Sequence, residues 1–578
     1  MRAAAALRAV EAGLGRLLDL GARSGLRRSA LILVAALVLL TPGLASLPVT
    51  DRDEARFAQA SKQMLETGDL VDIRFQDKPR WKKPAGIYWM QAGTASLFGG
   101  AEAPIWAYRL PSLLGAVLAS VLLGWAVRPL VGPRAALLAG LMLPATLIVA
   151  AEANIAKTDA MLLATSVAVF GALVRLLPEM PRPTLGTALA LWAAVAAAVL
   201  LKGPIVPVVA LLALAWLWVA WRRPPPLGRL RPLPGVPLML VLVAPWLVAI
   251  WVISDGAFFA ESVGKDLMGK VAEGQEKHWG PPGLYLLLVW LTFWPWAAML
   301  VPAAPWAWAR RREDWLRLAA AWVIPFWIVL EAVPTKLPHY VLPLYPALVT
   351  LLAAWALAED RPAPSRRLAA VSAGLVAVPG ALLAVAMVAL PLALEGRVAP
   401  LALLGALLAL PALWLAAEAA RAGRVLAQVG ASGAAALALY AGVLQGALPA
   451  LQTVFPSPRI AEMAAPWEDC ASGPLVSAGY REPSLVFHAG TETELPPPQR
   501  TARLLATDPG ALVLVEDRWM ERWLRPAWGE DAPALIERGR LDYFNYNRGS
   551  FETARLWTRD DPRWAPCAAA LGGAGARP

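Results

Sequence analysis

Four short stretches of this chain gather side chains that can act on a phosphate and on the carbon attached to it. "TDRDEARFAQASKQM", residues 50–64, places Asp51, Arg52, Asp53, Glu54 and Arg56 almost side by side. "RWKKPAGIYWM" sets Lys82 and Lys83 before Pro84 and an aromatic pair, Tyr88 and Trp89. "AEANIAKTDAM" supplies Lys157 and Asp159, and "PTKLPHYVLPLYP" supplies Lys336, His339, Tyr340 and Tyr345. A carboxylate serves as a general base or steadies positive charge on a reacting carbon, and a lysine ammonium is a flexible point-charge donor to phosphate. Each stretch also has an ordinary reading. Asp53 and Glu54 in a first helical turn complement the helix dipole, and lysines before a proline snorkel at a membrane surface.

The elements that must position these groups are membrane helices. The chain is 58% hydrophobic and only 16% charged, with 27 Trp. Apolar runs long enough to span a bilayer recur at roughly 29–47, 106–127, 135–150, 158–177, 187–200, 204–221, 236–253, 283–303, 316–333, 340–358, 368–391, 399–417 and 425–447, about thirteen in all. The arginine-rich residues 1–28 form a basic cytoplasmic N-terminus ahead of a retained signal anchor. Alternate loops then carry Arg128 and Arg134, Arg175 and Arg182, Arg222 and Arg223, Arg310 to Arg312, Arg366 and Arg367, and Arg421 and Arg424. Positive charge inside the cell sets that orientation and puts the two termini on opposite sides.

Lysine follows the opposite rule. Lys62, Lys78, Lys82, Lys83, Lys157, Lys202, Lys265, Lys270, Lys277 and Lys336 all fall on the outer side in this topology, as expected of an outer cavity that handles phosphate. The net charge of +11 is spread between apolar segments and not over one polar surface, which argues against nucleic-acid binding.

Two outer loops are long, 48–105 and 254–282. In the first, Phe57, Ala60 and Met64 recur at helical spacing, so residues 53–67 read as an amphipathic helix on the outer membrane surface. Residues 456–578 form a polar tail. There "GPLVSAGY" and "ALVLVED" read as buried strands and "LDYFNYNRGSFETARLWTR" as a hairpin turning near Asn547, Arg548 and Gly549. The fold class is therefore mainly α: a polytopic membrane domain, residues 29–455, followed by a small α+β domain outside the membrane. The only two cysteines, Cys470 and Cys567, lie at opposite ends of that domain, in a compartment that permits disulfides, and are expected to pair.

In order along the chain, "DEARFA", "WKKPAGIYW", "YRLPS", "KTD", "KGP", "TKLPHYVLPLYP", "GYREPSLVF" and "FNYNRG" resemble the bacterial 4-amino-4-deoxy-L-arabinose transferases and their protein mannosyltransferase relatives. The resemblance implies a GT-C membrane fold and transfer of a sugar from a polyprenyl phosphate carrier to an envelope acceptor, lipid A in the aminoarabinose type. It implies Asp53 as the catalytic carboxylate with Asp159 as a second, Lys83 on the carrier phosphate, and Tyr340 assisting there. Lys82, Lys265 and Lys270 are further phosphate-binding candidates, and Glu54, Arg56, His278 and Lys336 are additional site candidates. Relatives of the aminoarabinose type often carry Glu where this chain has Lys82, and His where it has Ser262. No metal site is carried over, although a divalent metal is not ruled out by the resemblance.

A sugar bonded to a phosphodiester already has a good leaving group, so such a reaction needs positive charge at the departing phosphate and an oriented acceptor more than a strong acid. The readings in competition are transfer to a protein or another envelope glycan, a transporter for a lipid-linked sugar, and a membrane-anchored assembly factor. The inner loops offer a transporter only flanking arginines, and an anchor does not need ionisable groups at the mouths of its helices.

Overall fold

The computed structural model describes residues 2–269 and 279–574. Lys270, Lys277 and His278 lie outside the described residues. The protein begins with two helices, α1 (Arg2–Ala22) and α2 (Gly25–Leu40). The first was not anticipated in the basic N-terminus; it is tied to the start of the last span by a pair between Arg424 and Glu11. Then come α3 (Asp53–Thr67), a short antiparallel ribbon of β1 (Arg74–Phe75) and β2 (Lys78–Pro79), and α4 (Gly86–Ser96). Seven apolar helices follow: α5 (Ile105–Ala126), α6 (Arg128–Met142), α7 (Leu147–Ala153), α8 (Asp159–Val174), α9 (Leu185–Lys202), α10 (Ile205–Trp221) and α11 (Pro232–Ile253).

Among the described residues, eight helices are long and apolar enough to cross a membrane, or up to ten if each of two bent pairs is one span. Helices α8 and α10 are shorter apolar helices at two more expected positions. The apolar run at 135–150 is divided between α6 and α7, which meet at 60°, and that at 283–303 between Leu284–Thr292 and Ala297–Ala309, which meet at 114°. Pro144 and Pro295 sit in the two breaks, where a proline removes an N–H and clashes with the preceding turn. Backbone groups freed in apolar surroundings must find partners. The two breaks serve each other: the Leu147 amide donates to the Trp294 carbonyl at 2.9 Å, and the Trp296 indole to the Met142 carbonyl at 2.7 Å.

Helix α3 does not lie on a surface. Phe57, Ala60 and Met64 are in the main core as their spacing suggests, but the opposite face is buried as well, under the polar C-terminal region. Gln59 donates to Thr491 at 2.6 Å, Gln76 donates to the Thr491 and Thr493 carbonyls, and Lys62 stands 5.9 Å from the Phe487 ring.

The C-terminal region builds one four-stranded sheet in the order β3 (Val476–Ala478), β4 (Val513–Glu516), β6 (Ser550–Arg559), β5 (Leu535–Asn545). The β3–β4 pair is parallel and the others antiparallel, and the β5–β6 hairpin turns where Asn547 and Gly549 were read as its tip. Inward residues Leu541, Tyr543, Ala554 and Leu556 join Trp467 and Trp564 in a separate core. Cys470 and Cys567 form a disulfide across a sequence separation of 97. Closing a loop of that length contributes about 5 kcal/mol in the chain-entropy model. Cys470→Ser with Cys567→Ser should therefore lower the unfolding midpoint of this region by several degrees or more, measured by thermal unfolding of the purified protein. An unchanged midpoint would contradict this.

Candidate active site

Three close approaches bring the four sequence stretches together. Helix α4 presses on the end of α9 at Gly86, where a Cβ would stand 2.7 Å from the Leu200 carbonyl oxygen. That contact sets Lys83, just before α4, near Lys202, the last residue of α9. Helix α5 presses on the start of α8 at Gly115, where a Cβ would stand 2.6 Å from the Met161 backbone. Below it the Ser112 hydroxyl donates to the carbonyls of Ile155 and Lys157 at 2.7 and 3.1 Å, pinning the turn before Asp159. The third is Glu54. Arg109 of α5 donates to its two oxygens at 2.7 and 2.9 Å, the Thr50 amide and hydroxyl at 2.8 Å each, and the Ala156 amide at 2.8 Å.

Glu54 is thus a structural joint between α3, α5 and the Asp159 turn. Both its oxygens are engaged and it is 1% exposed, so it is corrected from site candidate to scaffold. Burial acts to raise its pKa, but the Arg109 charge and the surrounding donors outweigh burial and hold it below the usual range. Its neighbour Asp53 differs on every count. Asp53 opens α3, is exposed, and does not cap the helix; the N-cap residue is Arg52, with no side-chain cap. Asp53 lies within electrostatic reach of Tyr88, Lys157 and Tyr340. Arg56, one turn along, is half-buried.

Asp159 opens α8 inside a buried charge network. Its carboxylate accepts from Lys202 at 2.5 Å and stands 3.9 Å from Lys157 and 3.8 Å from His339 Nε2. Lys157 in turn pairs with Glu152 at 3.0 Å and meets His339 Nδ1 at 3.3 Å. Charges removed from water persist only when paired in this way. Tyr340 lies beside the network, its ring 5.5 Å from the Lys202 ammonium and in edge contact with His339. Lys83 pairs with Asp266 at 2.7 Å.

Lys83, Asp159, Lys202, Asp266, His339 and Tyr340 share one cavity of about 780 Å³, whose lining does not include Asp53, Glu152 or Lys157. Lys82, Lys83, Asp159, Lys202, Asp266 and Tyr340 line its polar end. Leu173, Leu191, Leu211, Leu214, Phe326 and Leu330 line the rest, on α9 and the helix Asp314–Ala332, which are membrane spans by length and composition, and on the shorter apolar helices α8 and α10. A phosphate fits the first part and a hydrocarbon chain the second.

Two lysine candidates are not brought into this lining. Lys336 donates to the Leu330 and Glu331 carbonyls at 2.6 and 2.7 Å, satisfying the end of the helix Asp314–Ala332, and lies over the Tyr285 ring. Lys265 is exposed and pairs with Glu261 at 3.1 Å. Tyr345 is buried against Thr292. Glu152, Lys202, Arg109 and Asp266 were not singled out as site residues from the sequence. Glu152 and Asp159 are separated by the turn between α7 and α8, so helical spacing could not pair them; the signal that could have found Glu152 is an ionisable residue so deep in an apolar run.

Among the described residues no three of His, Cys, Asp or Glu converge to hold a metal ion. Lys82 and Lys83 also place two positive charges where such an ion would have to approach. The described residues do not fit a metal.

Residues 23–254 match the family model described as dolichyl-phosphate-mannose-protein mannosyltransferase. The chain superimposes on the crystal structure of ArnT from Cupriavidus metallidurans bound to undecaprenyl phosphate with a TM-score of 0.70, over 91% of this chain and 97% of that one, at 21% identity. The chain has the GT-C membrane fold. Its sequence is 29% identical over 333 residues to the undecaprenyl phosphate-alpha-4-amino-4-deoxy-L-arabinose arabinosyl transferase of Aeromonas salmonicida, covering 57% of this chain and 60% of that relative. It is 26% identical over 373 residues to the protein of the same name from Pectobacterium carotovorum, covering 64% and 65%. The matched stretch is thus less than two thirds of the length of these curated relatives. The fold implied by the short motifs holds.

The site meets the C-terminal region at Asp51, two residues before Asp53. Its carboxylate accepts from the Ser484 amide at 3.0 Å, at the start of the helix Pro483–Ala489. Burial, aided by Glu482 and opposed by the Ser484 hydrogen bonds and Arg52, raises the Asp51 pKa to about 6. A carboxyl whose folded pKa lies above its unfolded value near 4 stabilises the contact fully below that pH, and this contribution is lost as the pH rises through about 6. Asp51→Asn keeps the acceptor without the charge. It should match the natural protein in thermal unfolding near pH 4 and exceed it at pH 7, by about 3 kcal/mol. Equal stabilities at pH 7 would overturn this assignment.

Proposed function

We propose that this protein is an integral-membrane inverting glycosyltransferase that moves a sugar from an undecaprenyl-type polyprenyl phosphate to lipid A at the outer face of the bacterial inner membrane. The observation that carries the reading is the cavity with lysines at one end and a hydrocarbon-compatible lining between membrane helices. An amphiphile with a phosphate head suits it, and a water-soluble sugar nucleotide does not. The names of the relatives point the same way, since both curated relatives above are named as undecaprenyl phosphate-aminoarabinose transferases.

In this reading Lys83 and Lys82 receive the carrier phosphate, with Tyr340 and Lys202 beside them. The acceptor attacks the anomeric carbon from the side opposite the phosphate while the carbon–oxygen bond to the phosphate breaks. The bonding pair leaves with the phosphate, which goes from a singly charged diester to a monoester bearing one more negative charge. Lysines aimed at that group therefore bind more strongly as the reaction proceeds, which is how they lower the barrier. A single displacement inverts the anomeric centre. If the acceptor is a hydroxyl, Asp53 takes its proton. If it is a phosphate it is already anionic, and Asp53 orients the sugar and steadies positive charge on it. Asp159, held by Lys202, keeps that lysine and Lys157 in place.

The domain assignment belongs to the same proposal: a cytoplasmic basic stretch 1–28, a catalytic membrane domain 29–455, and a periplasmic domain 456–578. A reporter fused after residue 455 should lie outside and one after residue 313 inside the cell; both on one side would refute the orientation. Mass spectrometry of lipid A from cells with and without the gene tests the acceptor. A sugar-sized mass difference on lipid A is expected. The same difference on protein or another glycan instead would reassign the acceptor and leave the chemistry standing.

A further inference from the structure

The β5–β6 hairpin has an outward face that changes character at its turn. Along most of its length that face is polar: Arg540 pairs across to Arg555, and Asp542 to Thr553. At the turn end it becomes aromatic. Phe544 and Phe551 are cross-strand partners with rings 5.3 Å apart, and Tyr546 follows in the turn itself. Phe551 is 58% and Tyr546 46% exposed, in a sheet whose core is already complete on its inward face.

This aromatic end lies at the level of the membrane. The Phe544 amide donates to the Thr453 carbonyl at 2.9 Å, and Thr453 follows directly on the span Val425–Ala450. Thr453 is held in turn by Glu395, the last residue of the span Arg366–Glu395, through its amide and hydroxyl at 2.7 Å each. The turn therefore rests on the ends of two membrane helices. Its charges are balanced internally: Arg548 stands 3.5 Å from Glu516 and 3.4 Å from Glu552, and Asn547 contacts Glu482 at 3.4 Å. A strongly anionic partner finds no surplus positive charge there. At the depth where helices leave the bilayer, the exposed Phe551 ring finds acyl chains and the Tyr546 ring, apolar with a polar tip, settles at the headgroup boundary.

We propose that the hairpin turn 544–551 docks on the bilayer surface, with Phe551 and Tyr546 seated at the boundary between headgroups and acyl chains. The polar region is then held over α3 from both sides, by its hydrogen bonds to Gln59 and Gln76 and by lipid under the hairpin. The inference does not depend on the enzymatic reading.

The test uses the full chain in nanodiscs of phosphatidylcholine. Phe551→Cys, or Tyr546→Cys as a second site, is labelled with an environment-sensitive fluorophore; both native cysteines are in the disulfide. Both positions are exposed, so the substitutions leave the core untouched. The control is Glu530→Cys, exposed and beyond the far end of β5, about 30 Å away along a strand of that length. Labels at 551 and 546 should emit at shorter wavelength than the control and be quenched several-fold more by lipids spin-labelled near the headgroup, and several-fold less by aqueous iodide. Labels at both positions that iodide quenches as efficiently as the control, with no effect of the spin-labelled lipid, would overturn the proposal and leave the aromatic end to a protein partner.

Discussion

Asp53→Asn should lower sugar transfer by about two orders of magnitude or more while folding and carrier binding persist. The structure sharpens this expectation by removing the capping explanation. Asp53 does not accept a cap bond, and Glu54, not Asp53, carries the joint to α5 through Arg109. The substitution therefore removes a charge and little else. Asp159→Asn should behave differently. It strips a carboxylate from Lys202 and Lys157 in a buried network, and an uncompensated buried charge costs about 3 kcal/mol or more. That variant should lose stability and turnover together. The measurement is transfer in vitro from a polyprenyl phosphate donor by purified variants, with thermal unfolding run in parallel. Near-normal turnover by Asp53→Asn would return that residue to the scaffold and leave Asp159 as the better candidate.

Lys83→Ala should weaken both carrier binding and turnover, the second by about two orders of magnitude, because the phosphate is charged in the ground state and gains charge as the sugar leaves. A partner residue provides the opposite control. Lys83 pairs with Asp266 at 2.7 Å, so an arriving phosphate competes with that carboxylate for the ammonium. Asp266→Asn keeps the size of the side chain and removes the competitor; it should tighten carrier binding several-fold. Binding of undecaprenyl phosphate itself, without the sugar, reads both effects separately from chemistry. Unchanged binding and turnover in Lys83→Ala would remove the phosphate from that lysine and point to Lys82 or Lys202.

The path from sequence to site ran through properties that are local or additive. Apolar runs locate membrane helices because each run must satisfy its own backbone in lipid, and arginine counts give an expected orientation because charge acts loop by loop. The strands of the C-terminal sheet were legible from the apolar runs of β3 and β4 and from the turn residues Asn547 and Gly549 of the β5–β6 hairpin. The disulfide followed from there being two cysteines and a compartment that permits the bond. Lys82, Lys83, Asp159 and Tyr340 were named from short motifs and do line one cavity.

Other features were decided only in three dimensions. Glu54 and Asp53 are adjacent in sequence and equivalent in type, yet one is locked to Arg109 and the other stands exposed, because a one-residue step rotates a helical side chain by about 100°. Lys336 looks like Lys83 in sequence, but the carbonyls at the end of its neighbouring helix claim it. Glu152 and Asp159 reach one network through the turn between α7 and α8, which Ser112 pins, and glycines let α4 and α5 approach their neighbours backbone to backbone. Composition and periodicity determined that this protein crosses a membrane many times and carries a polar region on one side. Which charges meet depends on packing between segments far apart in the chain, and no local pattern records that.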